Sequence, residues 1–286
     1  MKLCVGAVSR RVVEEAAKLQ VHQIVASRRQ VDIGGGYTGL DQKELVELVS
    51  ELSDDKTDVV RDHGGPGQGA QYDDGTDSLD ADVEAGFDGL HLDVCKLPSG
   101  AQETALRTLV RRYRYSANIE IGGEHDSQEW NERLREASGI EPNYLVIGFN
   151  SFVWADRQIG RPLPPDEVKK ISERYGFRTK IHNADWLGYR KQYGDAVGAY
   201  NIAPEFARVE IDALLTVLPF GTARSLLTRA YASEKWGRWF NTDEGTWDER
   251  ARCALRYIIN DVNMPGITSD MEEYVRSSIR DALIRG

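Results

Sequence analysis

Cysteine, long apolar runs and excess positive charge are all scarce in this sequence, and each shortage excludes a class of protein. The three cysteines, Cys4, Cys95 and Cys253, are odd in number and far apart, so they form no CxxC pair and no complete disulfide framework. The N-terminus also lacks the long apolar stretch and the small-residue cleavage site of a signal peptide. Together these features predict a cytoplasmic protein in a reducing compartment.

Membranes and nucleic acids are disfavoured as partners by two further features. No apolar run approaches the ~20 residues that are needed to cross a bilayer. The formal net charge of −10 opposes binding to a phosphate backbone or to an anionic membrane surface. Since 41% of the residues are hydrophobic and 29% are charged, the composition is that of an ordinary globular chain. We expect neither a nucleic-acid partner nor a membrane partner.

Short apolar runs alternate with amphipathic segments along most of the chain. The runs predict eight strands, at 3–8, 22–27, 58–62, 88–94, 117–122, 143–149, 177–182 and 196–202. Helical patterns lie between them, for example 41–53 with Asp41 as N-cap, 101–114, and 165–175 opened by Pro165. This alternation predicts an α/β fold of the (β/α)8 TIM-barrel type, whose typical length is about 250 residues. A doubly wound open sheet is the alternative, but no GxGxxG motif follows the first strand.

The pattern changes at about residue 218. Helices are predicted at 222–235, 246–261 and 269–285, separated by glycine and proline. We therefore divide the chain into a barrel domain, 1–217, and a helical C-terminal extension, 218–286, packed on the barrel. This extension is the candidate contact for a homo-oligomer or a partner subunit.

Ionisable side chains gather where an active site is expected. In a (β/α)8 enzyme that site lies at the C-terminal ends of the strands, and four of the five histidines occupy such positions. The residues in question are Asp62, His63, His91, Asp93, Glu120, Glu124, His125, His182, Asn183, Asp185, Asn201 and Glu205. Imidazoles and carboxylates that converge from several strands predict a divalent metal, Zn²⁺ first and Mn²⁺ second.

The first candidate metal ligands are His63 and His182, completed by Glu124 or His91. Asp62, beside His63, suits proton transfer next to a Lewis acid. The alternative is that one or two of the histidines only form hydrogen bonds inside the barrel.

Other candidates carry more than one interpretation. Lys180 is paired with an acid, bound to an anionic substrate, or a Schiff-base nucleophile. Asp93 orients a ligand histidine, is an ordinary acid of the barrel lumen, or belongs with the substrate-binding residues. Asn201 donates to a substrate oxygen or lies in a turn. The remaining substrate-binding candidates are Gly35 and Gly36, which follow strand 2 and suit a phosphate, and the two acids Asp185 and Glu205.

Several segments together resemble the D-tagatose-1,6-bisphosphate aldolase accessory-subunit family, a branch of the class II aldolase-like barrels. The resembling segments are QVDIGGGYTG (30–39), RDHGGPG (61–67), EAGFDGLHLDVCK (84–96), IEIGGEHD (119–126) and KIHNADW (180–186). They occur in the family's order and span most of the predicted barrel.

The resemblance implies roles for four of these residues. Asp62 matches the catalytic acid/base, His63 and His182 match metal ligands, and Glu124 matches the acid of the GxE segment. In class II aldolases the metal polarises a ketose carbonyl and stabilises an enediolate, and the same intermediate serves an epimerase.

Three hypotheses about function follow. The first is a metal-dependent aldolase or epimerase acting on a ketose, a ketose phosphate or a sugar acid. The second is a non-catalytic accessory subunit that stabilises a separate tagatose-bisphosphate-type aldolase. The third is a metal-independent aldolase that uses Lys180 as the Schiff-base residue.

Overall fold

The protein is described by a computed structural model that covers most of the chain. The described residues are 2–36, 38–69, 71–123, 128–148, 152–154, 157–159, 166, 169–170, 173–174, 178–182, 199–201, 203–232 and 267–285.

The described residues contain ten strands and eight helices. The strands are β1 (Lys2–Gly6), β2 (Gln23–Ser27), β3 (Asp58–Gly64), β4 (Gly89–Leu92), β5 (Asn118–Gly123), β6 (Tyr144–Gly148), β7 (Phe152–Trp154), β8 (Arg157–Ile159), β9 (Thr179–His182) and β10 (Ala199–Asn201). The helices are α1 (Arg10–Lys18), α2 (Gln42–Ser53), α3 (Thr76–Ala85), α4 (Ser99–Tyr113), α5 (Gln128–Ser138), α6 (Ala203–Val217), α7 (Phe220–Ala232) and α8 (Ser269–Arg285). All eight predicted strands are found, each within three residues of its predicted ends.

Eight of the strands form one parallel sheet. Its order is β1-β10-β9-β6-β5-β4-β3-β2, and β1 pairs with both β10 and β2, so the order closes into a barrel. The unpredicted strands β7 and β8 form a separate antiparallel pair. The predicted α/β class with a curved parallel sheet is confirmed. The complete set of eight βα units stays a prediction, because the segments between β8 and β10 lie largely outside the described residues.

A local sequence signal accounts for the start of α2. The side chain of Asp41 accepts a hydrogen bond from the Glu44 backbone N–H, and the side chain of Glu44 accepts one from the Asp41 N–H. This capping box begins α2 at the predicted place. The predicted helix at 101–114 corresponds to α4, whereas the helix predicted at 165–175 lies mostly outside the described residues.

Successive side chains of each strand point alternately toward the helices and toward the barrel interior, so they form two apolar layers. Outward-facing side chains pack against the helices in a large apolar core that includes Ile24, Leu90 and Ile121. A second, smaller apolar cluster draws residues from five strands around the barrel interior: Cys4, Val25, Val60, Tyr144 and Ala199. Since side chains two apart in a strand share a face, Asp62 lies on the same face of β3 as Val60. The catalytic candidate therefore lies at the inner surface of the sheet.

The last helix packs against the first helix and α6. Val275, Ile279 and Leu283 of α8 are buried in the large core. Ion pairs add to this contact: Arg11 bonds to Glu272 at 2.8 Å, and Arg276 bonds to Glu15 at 2.9 Å. The predicted helices at 222–235 and 269–285 correspond to α7 and α8, and 246–261 lies outside the described residues.

The domain boundary at 217/218 stays a prediction. Where helices are described, none is long and apolar enough to cross a membrane.

Candidate active site

The end of β3 carries an irregularity that shapes the site. Arg61 pairs with Leu90 of β4 and Gly64 pairs with Leu92, so Asp62 and His63 together lie opposite the single residue His91. His63 has φ +51°, a left-handed conformation that non-glycine residues adopt at a cost of about 1–3 kcal/mol. Bulges of this kind redirect side chains and are frequent beside active sites. The bulge therefore brings the predicted Asp62-His63 pair against His91.

Asp93 orients His63. Its Oδ2 lies 2.6 Å from Nδ1 of His63, and its Oδ1 accepts a hydrogen bond of 2.8 Å from the Cys95 backbone N–H. Burial alone would raise the pKa of Asp93, but the hydrogen bond from His63 and the nearby imidazoles outweigh it and hold the pKa below its usual value. The Asp93 carboxylate is fully buried and bonded to His63, and this geometry favours the predicted role of orienting a histidine over the predicted role in substrate binding. Both roles stay predictions.

His91 is oriented by the backbone. Its Nε2 lies 3.1 Å from the carbonyl oxygen of Gly122, and because a carbonyl can only accept, Nε2 carries the hydrogen. An added Cβ at Gly122 would lie 2.0 Å from the Val146 carbonyl oxygen, so the close approach of β5 to β6 at this residue requires glycine. The other nitrogen of His91, Nδ1, lies 3.6 Å from Oδ1 of Asp62 and accepts from the His63 backbone N–H at 3.3 Å.

Asp62, His63 and His91 form a compact donor cluster. Their ligand atoms all lie within 4.8 Å of one another, and Nε2 of His63 is 4.0 Å from Oδ1 of Asp62. Two imidazoles whose other nitrogens bond to Asp93 and to a backbone carbonyl, with a carboxylate between them, are a donor set suited to a divalent transition metal. Coordination by Nδ1 of His91 would replace its 3.3 Å hydrogen bond from the His63 N–H, and with that change the residues present fit such an ion.

Lys180 adopts the paired alternative. Its Nζ donates to Oε2 of Glu120 at 2.8 Å and to Oε1 of Gln23 at 2.9 Å, all inside the barrel. Burial alone would lower the pKa of Lys180, but the Glu120 carboxylate outweighs burial and the pKa lies above its usual value. A protonated amine is not a nucleophile, so this geometry disfavours the Schiff-base role. Lys180 is thus a paired cation of the barrel interior, and its predicted catalytic role stays a prediction.

The glycines after β2 hold their own loop together. The N–H of Gly35 donates to the Asp32 carbonyl at 2.8 Å, and the N–H of Gly36 donates to the Leu40 carbonyl at 3.3 Å. Because these donors already bond within the loop, the geometry does not favour phosphate binding by Gly35 and Gly36, and that role stays a prediction.

Other candidates are described only in part or not at all. His182 ends β9, in register with Gly148, and Asn201 ends β10, in register with Cys4; Glu205 lies in the first turn of α6. In the strand order, β9 lies four strands from β3 in either direction, so His182 and His63 belong to strands on opposite sides of the barrel. Glu124 and Asp185 lie outside the described residues, and the roles of all these residues stay predictions.

Two buried arginines beside the site were not predicted from the sequence. Arg28 bonds to both carboxylate oxygens of Asp73, at 2.6 and 2.7 Å, and so joins the loop after β2 to the loop after β3. Arg61, directly before Asp62, bonds to both oxygens of Asp82 in α3 and is fully buried. The available signal for Arg61 was a charged residue directly after the apolar pair Val59 and Val60 of its strand.

Comparison with known proteins gives similarity at the level of the fold. No family model matches the chain, and no curated protein matches it by sequence. Several solved structures do share its fold. A probable tagatose 6 phosphate kinase from Sinorhizobium meliloti 1021 superposes with a TM-score of 0.70 at 16% identity, covering 99% of this chain and 98% of that one.

Two further structures extend the comparison. The fructuronate-tagaturonate epimerase UxaE from Cohnella laeviribosi gives a TM-score of 0.68 at 10% identity, covering 99% of this chain and 80% of that one. The YdjI aldolase from Escherichia coli K12 gives 0.56 at 11% identity, with 94% and 92% covered. The chain therefore has the fold that a probable sugar-phosphate kinase, an epimerase and an aldolase share.

Proposed function

We propose that this protein is a metal-dependent enzyme of the aldolase or epimerase type that acts on a ketose, a ketose phosphate or a sugar acid. The observation that carries the proposal is the cluster of Asp62, His63 and His91, with Asp93 bonded behind His63. The fold similarity to an aldolase and to a sugar-acid epimerase supports the same class of substrate. We further propose that the barrel is a complete (β/α)8 domain with 218–286 as its helical extension.

The proposed metal ligands are His63 and His91, with His182 or Glu124 completing the set. Asp93 holds the His63 ring through Nδ1, which directs Nε2 toward Asp62. The Gly122 carbonyl holds the His91 ring in the corresponding way. A divalent ion, most naturally Zn²⁺ and otherwise Mn²⁺, would supply Lewis-acid polarisation of a substrate carbonyl when bound there.

Asp62 is the proposed acid/base. Its carboxylate lies beside both imidazoles at the inner surface of the sheet and retains only slight exposure to solvent. In this position it can take a proton from the carbon or hydroxyl next to a ketose carbonyl and return it to the product. Return of the proton to the other face would epimerise the sugar, whereas cleavage of a carbon–carbon bond before that step would make the reaction an aldol reaction.

Proton exchange tests this function with a panel of compounds rather than a single chosen substrate. Metal-loaded protein is incubated in D₂O with ketoses, ketose phosphates and keto sugar acids, and deuterium beside the carbonyl is followed by NMR. We expect incorporation with the wild type, and at least a hundredfold slower incorporation with Asp62→Asn when the two proteins are compared at equal metal occupancy. Asp77→Asn, an exposed change in α3, is the matched control.

The accessory-subunit hypothesis gives the opposite result. Equal exchange by the wild type and Asp62→Asn, or exchange with no member of the panel, would contradict the proposed enzyme. Co-purification with a separate aldolase chain would then favour an accessory role.

A further inference from the structure

A glycine at the mouth of the barrel brings two exposed side chains together. Gly67, in the loop after β3, has φ +71°, and an added Cβ there would lie 3.1 Å from Cε2 of Tyr72 and 3.2 Å from Cβ of Lys96. The Tyr72 ring and the start of the Lys96 side chain therefore both lie against Gly67. Tyr72 is 75% exposed, and Lys96 is exposed as well.

Hydrogen bonds of neighbouring residues connect the segment that carries Lys96 to the candidate active site. The side-chain amide of Gln68, next to Gly67, donates to Sγ of Cys95 at 3.6 Å, and Cys95 directly precedes Lys96. The Cys95 backbone N–H donates to Asp93, which in turn bonds to His63. Lys96 therefore follows by three residues the Asp93 that bonds to His63, and Tyr72 lies beside it against Gly67.

The loop that carries Tyr72 is held in place by its neighbours. The N–H of Gly67 donates to the Asp73 carbonyl at 2.9 Å, and the Asp73 carboxylate accepts two hydrogen bonds from Arg28. The N–H of Gly75 donates to the same carboxylate at 3.0 Å. A side chain on such a loop binds a ligand with less loss of conformational freedom than one on an unsupported loop.

Charge distinguishes Lys96 from the other cations beside the site. Arg28 and Arg61 are each neutralised by two hydrogen bonds to one carboxylate, Asp73 and Asp82 respectively. Lys96 forms no ion pair within the part of the chain that the structure describes. Since the protein carries a net charge of −10, an anionic ligand approaching this mouth needs a local cation that is not already neutralised.

We infer that Lys96 and Tyr72 form a subsite for an anionic sugar, with the ammonium of Lys96 binding the oxyanion and the Tyr72 ring covering the apolar face of the sugar. This inference deepens the proposed function, on which it rests, because it selects sugar phosphates and sugar acids over neutral ketoses. Both oxyanions share the chemistry that a lysine recognises, a compact negative charge with acceptor oxygens. An exposed aromatic face at a site rim is a suitable surface for the C–H groups of a sugar ring.

Calorimetry with three probes tests the subsite. Fructose 6-phosphate, fructuronate and neutral fructose are titrated into the metal-loaded wild type, Lys96→Gln, Tyr72→Ala and Tyr72→Phe. Lys96→Gln is expected to weaken binding of the anionic probes about fivefold, less so at high salt, and to leave fructose unchanged. Tyr72→Ala is expected to weaken all three probes about fivefold, whereas Tyr72→Phe, which keeps the ring, has little effect. Comparison of the first two probes identifies phosphate or carboxylate as the preferred oxyanion.

Two controls separate this inference from the proposed function. Lys43→Gln removes an exposed lysine of α2 and should change none of the affinities. Metal content and proton exchange are measured on every variant. If the wild type exchanges protons and Lys96→Gln leaves the affinities for both anionic probes unchanged, the subsite is overturned and the enzyme proposal remains intact. A selective loss of anion binding without exchange in the wild type would support the subsite and contradict the enzyme. A wild type that binds neither anionic probe overturns the subsite.

Discussion

The imidazole of His63 lies 2.6 Å from the carboxylate of Asp93, and this contact decides which nitrogen of His63 points into the candidate active site. Nδ1 carries a hydrogen toward Asp93, so Nε2 faces Asp62. A carboxylate behind a histidine is the arrangement that fixes the tautomer of a metal ligand and raises its basicity. The left-handed backbone of His63 and its bulged strand serve the same geometry.

Asp93→Asn should weaken metal binding without unfolding the protein. Asparagine keeps the size of the side chain but replaces the charged acceptor, and loss of such a partner typically costs 10–100-fold in metal affinity, so about 30-fold is expected. Competition with a chromophoric chelator measures the affinity for Zn²⁺. Asp77→Asn should leave the affinity for Zn²⁺ unchanged. An Asp93→Asn protein with wild-type affinity would show that the contact between Asp93 and His63 does not affect metal binding.

Lys180→Met should destabilise the fold rather than remove a nucleophile. The change leaves Glu120 as an uncompensated buried charge, and removal of one partner of a buried pair costs about 3–5 kcal/mol. Urea denaturation measures the free energy of unfolding, and Lys180→Met with Glu120→Gln should recover much of the loss. Borohydride reduction in the presence of a ketose phosphate should leave Lys180 unmodified. An adduct on Lys180 would instead support the Schiff-base hypothesis.

Stability should decrease as the pH falls from 6.5 towards 4, partly because of His22. Burial and then the positive charges of Lys2 and Lys180 lower the pKa of the His22 imidazole from 6.5 to about 4. Between these values the unfolded chain binds a proton that the folded chain does not, so the stabilising effect is complete above pH 6.5 and is lost through this window. The His22 resonance should titrate near pH 4, and His22→Gln should reduce the dependence of unfolding free energy on pH. A midpoint near 6.5 would contradict this account.

Glu15→Gln should loosen the contact between the first and last helices. The Glu15 carboxylate is fully buried and bonds to Arg276 and Arg280 of α8 at 2.9 and 2.8 Å. Because hydrogen bonds to charged groups contribute more than neutral ones, the free energy of unfolding should fall by about 2–3 kcal/mol. Glu47→Gln, which removes an exposed pair with Lys43, is the control and should cost less than about 0.5 kcal/mol. Equal effects would argue against a structural role for this cluster.

The strands and the main residues of the candidate site could be proposed from the sequence because both depend on local pattern. Apolar runs of strand length and the Asp41 capping signal correctly located β1 to β6, β9, β10 and α2. Asp62, His63 and His91 were identified because they lie at strand ends, which a parallel barrel brings to one face.

The other features of the site depend on contacts between residues that are distant in sequence, and the periodicity of the sequence does not show such contacts. The bulge that aligns Asp62 and His63 with His91 is a register shift between strands, and sequence spacing alone does not show it. The pairing of Lys180 with Glu120 joins residues far apart in the chain, so sequence alone left three roles open for Lys180. The sequence could not decide the role of the loop glycines, because a glycine that closes its own turn and one that binds phosphate look the same in sequence.

Metal content tests the central claim most directly. Protein purified without chelator, as wild type, His63→Ala, His91→Ala and the control His22→Ala, is measured by elemental analysis before and after incubation with Zn²⁺ or Mn²⁺. The account predicts near-stoichiometric metal in the wild type and in His22→Ala, and a loss in both His63→Ala and His91→Ala. A wild type that holds no metal after reconstitution, or equal metal in all four proteins, would contradict it.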